Sequence, residues 1–73
     1  MVAKFIKGHM VLIVGPSDKN ERRLFPEIVQ HIGQRGVVAN IRVDPIEDSY
    51  IYLVELRDSG SLLEVPEKWL GPS

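Results

Sequence analysis

The sequence predicts an all-β domain, a five-stranded, partly open barrel with at most one short helix in its first long connection. Three observations predict it. Residues 10–14 form a short, uninterrupted apolar run rich in β-branched side chains, which suits a buried strand. Residues 36–43 and 50–57 alternate apolar and polar side chains, the period of a half-buried strand. Glycine and proline turn chemistry separates these runs.

The elements follow in order. Residues 15–18, Gly-Pro-Ser-Asp, stop the first strand. In the second strand Val37, Ala39, Ile41 and Val43 share one face, and Val38, Asn40 and Arg42 share the other. Asp44 and Pro45 end it, because proline cannot donate to a ladder. In the third strand Tyr50, Tyr52, Val54 and Leu56 alternate with Ile51, Leu53, Glu55 and Arg57, the richest β-branched and aromatic content in the chain. Residues 57–61 form a hairpin connection with Gly60 where a positive φ is needed. Residues 61–65 return as the fourth strand. Pro66 opens one tight helical turn through Trp69, and Leu70 adds a last residue of pairing. The predicted core is Val11, Ile13, Val37, Ala39, Ile41, Tyr52, Val54, Leu56, Leu63 and Val65.

Residues 20–33 admit two readings. Pro26 stands at a first helical position, Gly33 at a C-terminal stop, and Leu24, Ile28 and Ile32 fall on one helical face. The other reading is an irregular loop whose Leu24, Phe25, Ile28 and Ile32 plug the barrel end. Just before it, Asp18 followed by Glu21 has the spacing of a capping box.

Composition narrows the function. The 73 residues make one domain, 1–73, burying only about 60% of the unfolded surface. A core of that size favours a binding module or subunit over an enzyme with a deep pocket. The chain contains no cysteine, so disulfides, thiolate metal sites and cysteine nucleophiles are excluded. That composition agrees with a cytoplasmic location. A net charge of -1 is not the footprint of a strong nucleic-acid binder. The opening residues lack the apolar run of a signal peptide, and no stretch reaches a membrane span.

Two local stretches carry a resemblance. Residues 33–41, Gly-Gln-Arg-Gly-Val-Val-Ala-Asn-Ile, are similar to the glycine-x-x-glycine-x-valine segment of KOW-type barrels in ribosomal and transcription-elongation proteins. Residues 63–70, Leu-Glu-Val-Pro-Glu-Lys-Trp-Leu, resemble the proline-initiated turn that closes signalling barrels, with Trp69 where those carry tyrosine. With the element order, this resembles a Src-homology-3-like (SH3-like) barrel, and also accessory subunits of photosynthetic electron-transfer complexes. The acidic aromatic stretch and paired tryptophan of proline-rich-peptide binders are missing.

No constellation of catalytic residues is present, so the domain is expected not to be an enzyme and to need no cofactor. His9 and His31 are read as structural, since a metal site needs several converging ligands. Ser17 is not in a nucleophile elbow. Asp44, Glu47 and Asp48 lack the length and central glycine of a calcium loop. They form a solvated turn that would still suit a basic partner. The candidate binding residues are Arg22, Arg23, Arg35 and Arg42, with Tyr50 and Trp69. Arginine offers planar donors for phosphate or carboxylate, and aromatic and arginine side chains dominate binding hot spots. Trp69 either lines a groove or lids the core. The expected function is a protein-interaction module or an accessory subunit of a larger complex. The alternative is a KOW-type RNA-binding barrel using the same arginines.

Overall fold

A computed structural model describes residues 2–73. Five antiparallel strands make one sheet in the order β4-β3-β2-β1-β5. They are β1 (Met10–Ile13), β2 (Arg35–Asp44), β3 (Ser49–Leu56), β4 (Leu62–Pro66) and β5 (Leu70–Pro72). The first connection holds α1 (Lys19–Leu24) and α2 (Pro26–Val29), and a one-turn 3-10 helix (Glu67–Trp69) joins β4 to β5. The all-β, barrel-like expectation therefore holds. β1 is the hinge of the topology, pairing with β2 on one side and β5 on the other.

Expected and observed burial differ in β2. Val38 is 1% exposed, whereas Ala39 is exposed and Val37 only half-buried. The register shifts between Val38, opposite Val54, and Asn40, opposite Leu53. Ala39 is thus the extra residue of a β-bulge, and a bulge reverses the side-chain alternation beyond it. Val38 and Ile41, three positions apart, both face the core as a result. Val43 has the expected parity but lies past the core and stays exposed. The inward residues of the other strands match expectation. Val11, Ile13, Tyr52, Val54, Leu56 and Val65 are buried, and Leu63 packs against them half-buried.

The first connection contains two short helices instead of one. Phe25 separates them at φ -127, ψ 57, because the residue before a proline is pushed out of the helical region. α1 begins at the Asp18 cap, whose carboxylate accepts from the Glu21 N–H at 3.3 Å. The break divides the predicted face. Ile28 is 3% exposed, while Leu24 points out and is 71% exposed.

Two glycines perform different work. Gly33 adopts φ 90 as the chain turns from α2 into β2, a conformation costly for L-residues. Gly36 lies flat against β3, where a Cβ would meet Val54 Cγ1 at 2.5 Å and the Glu55 carbonyl oxygen at 2.7 Å. Gly36→Ala is expected to destabilise the domain by about 2–3 kcal/mol through overpacking against backbone. Gly60→Ala, a φ of 73 in open space, is expected to cost only about 1 kcal/mol. Urea unfolding of both variants checks the ranking.

Candidate functional site

The 3-10 turn is held in place from below. The Tyr52 hydroxyl, on a fully buried ring, donates to Glu67 Oε2 at 2.7 Å and accepts from the Phe5 N–H at 3.3 Å. The Lys4 N–H donates to the same carboxylate oxygen at 3.1 Å. The Phe5 ring packs edge-on to Tyr52, with centroids 5.6 Å apart. At the other end of the turn, the Trp69 carbonyl accepts from Val14 and Gly15.

So fixed, the turn presents one wall of a groove of about 610 Å³. α1 and the following break supply Glu21, Leu24 and Phe25. The end of β2, its turn and the start of β3 supply Asp44, Glu47, Ser49 and Ile51. Phe25 and Trp69 meet edge to face with centroids 4.9 Å apart, a favoured aromatic geometry. Lys68 Nζ lies 5.0 Å from the Trp69 ring centroid and 3.6 Å from Glu21 Oε2. The β2–β3 turn is ordered by Asp44, whose Oδ1 accepts from the Ile46 and Glu47 N–H groups at 3.0 and 3.4 Å. Ile46 at the tip of that turn is 91% exposed. Beyond Phe25, Ile51 and Pro66 the surface continues into a second depression of about 390 Å³. Ile28, Leu62 and Leu63 line it, with Glu27, Arg42 and Glu64.

The six sequence-predicted binding residues do not form one patch. Trp69 lines the groove but is only 5% exposed, so it is both wall and core lid. Arg22 folds back to donate from Nε to the Pro16 carbonyl at 2.9 Å, and Arg23 is exposed on the same helix. Arg42 makes a two-pronged contact with Glu64, at 2.8 and 3.3 Å. This holds the Glu64 carboxyl below its ordinary range and raises the Arg42 guanidinium. Arg35 lines a separate polar depression with Arg57 and Asp58. Tyr50 is half-buried against the core.

Sequence reasoning missed Leu24, Phe25, Ile51 and Pro66 as groove residues. Trp69 and the acidic turn at Asp44 and Glu47 carried the usable signals. His9 is exposed, and His31 pairs through Nδ1 with Gln34 at 3.1 Å. Among the described residues no three His, Cys, Asp or Glu side chains gather in a metal-holding group. Nor is any helix among them long and apolar enough to cross a membrane.

Burial first, then the hydrogen bond to Glu67, pushes the Tyr52 phenol from 10.0 up to about 12. A raised phenol favours the neutral ring in the fold. Its contribution is complete below pH 10.0 and is lost as pH rises through about 12. Circular-dichroism melts are expected to show a stability loss in that window which Tyr52→Phe abolishes. The same variant strands the Phe5 N–H and should cost about 2 kcal/mol at neutral pH, lowering Tm by roughly 10 °C. Comparison with known proteins gives no matching family model, no matching curated protein and no matching solved structure.

Proposed function

We propose that this domain is a small non-catalytic protein-interaction module or accessory subunit, and that its partner docks in the groove between α1, the β2–β3 turn and the 3-10 turn. The observation that carries this reading is the groove itself. It offers an aromatic and aliphatic lining from Phe25, Ile51, Pro66 and Trp69, with Leu24 on its rim 71% exposed. Exposed apolar surface rimmed by charge marks interaction sites, and aromatic walls dominate binding energy. The strand order, with a one-turn helix between the fourth and fifth strands, supports an SH3-like barrel as the scaffold.

An RNA-binding barrel of KOW type is the competing reading. It needs the arginines on one face free of carboxylates. Instead Arg42 is engaged by Glu64, and Arg35 shares its depression with Asp58.

Leu24→Ser is the discriminating variant, because a side chain this exposed contributes less than about 0.5 kcal/mol to stability. Immobilised wild-type domain, challenged with lysate of the source organism with and without nuclease, is expected to retain in both a protein that Leu24→Ser loses. Retention of RNA, with every protein lost on nuclease treatment, would transfer the function to the nucleic-acid reading. Equal retention by Leu24→Ser would move the site away from the groove.

A further inference from the structure

We infer that the segment seated in the groove is an extended, cationic stretch of the partner, with its lysine or arginine at the β2–β3 turn and its apolar side chains running toward β4. This rests on the groove being the docking site, and adds what the occupant is and how it lies.

Charge sets one end. Four carboxylates line the larger depression, those of Glu21, Asp44, Glu47 and Glu67, against two ammonium groups, Lys4 and Lys68. Two of the four are occupied internally. Glu21 is paired with Lys68, and Glu67 is held by the Tyr52 hydroxyl and the Lys4 N–H. Asp44 and Glu47 remain. Among the described residues neither enters an ion pair, and only one oxygen of Asp44 is used by its turn. An approaching cation meets these two carboxylates beside the exposed Ile46 and the wall of Phe25 and Trp69. Complementary charge of this kind fixes partner choice and orientation more than it adds affinity.

The path sets the conformation. The two depressions share Phe25, Ile51 and Pro66 as lining, so they adjoin across these three side chains and one extended segment can reach both. The far half runs along β4, the terminal strand of the sheet. A terminal strand presents unpaired N–H and C=O groups, and an extended peptide can add to it while alternate side chains enter pockets. Pro66 carries no N–H, which confines such pairing to residues 62–65. At this end Arg42 and Glu64 neutralise each other, Glu27 is among the described residues the single carboxylate outside an ion pair against two at the turn, and Leu62 is exposed, so the far half takes the apolar side chains.

The test uses the whole domain, labelled with nitrogen-15, and two blocked synthetic peptides. One alternates lysine with leucine and valine; the other replaces each lysine by glutamate. The lysine peptide is expected to shift the amides of residues 44, 46–49 and 62–65 and to bind at least about fivefold more tightly than the glutamate peptide. Added salt should erode that preference. Asp44→Asn with Glu47→Gln should weaken the lysine peptide about fivefold with Tm unchanged, since an asparagine oxygen still accepts the two turn N–H groups. Equal binding of both peptides would overturn the cationic occupant while leaving the groove as the site. Shifts at 44 and 46–49 without 62–65 would overturn the extended path. If neither peptide moves any groove resonance, both this inference and the docking site it rests on fall.

Discussion

The Tyr52 hydroxyl is the junction on which the remaining architecture depends. It lies at the inner end of a fully buried ring, where an unpaired polar atom would cost about 1–3 kcal/mol. It resolves that cost by joining three parts of the chain distant in sequence. β3 provides the ring, the N-terminal segment provides the Phe5 N–H, and the 3-10 turn provides Glu67. The turn cannot tilt without breaking the Glu67 contact, and the N-terminal segment cannot lift without exposing Phe5. The groove wall is therefore braced from inside the core.

The rest of the groove comes from places where regular structure is interrupted. The helical connection breaks at Phe25 because Pro26 follows it, and the break turns the Phe25 ring inward and leaves Leu24 outside. β2 ends where Asp44 folds its carboxylate onto its own turn. β4 ends at Pro66, which opens the 3-10 turn. Each interruption frees side chains from the pairing geometry of the sheet. The three converge because β2 and β3 place the acidic turn alongside the end of β4. The interruptions that punctuate the fold are in this way the parts that line its groove.

The charges divide by the same logic. Where strands lie side by side, opposite charges find each other, as Arg42 and Glu64 do across β3. Where a helix meets the 3-10 turn, Glu21 and Lys68 do so beside the Trp69 ring. Exposed pairs of this type contribute little stability. Their consequence here is to withdraw arginine and lysine from the surface potential, leaving the β2–β3 turn as the acidic end of the groove.

The sequence by itself determined the class of fold, most of the strands and the capped, proline-initiated turns. Those features rest on local chemistry: alternation in β3, the Asp18 cap, Gly60 at positive φ and Pro66 before a helical turn. It also placed Tyr52, Val54, Leu56 and Val65 correctly in the core. Only the tertiary structure decided the parity of β2, because the bulge at Ala39 answers to the partner strand and leaves no local mark. It alone decided which arginines stay available, since Arg22 folds back onto the Pro16 carbonyl, Arg42 pairs with the sequence-distant Glu64 and Arg35 lies on a different surface. It alone assembled the groove, because Leu24, Phe25, Ile51 and Pro66 become neighbours only when the sheet is paired. An apolar residue in a sequence carries its wish to be buried, but not the identity of the surface that will leave it partly uncovered.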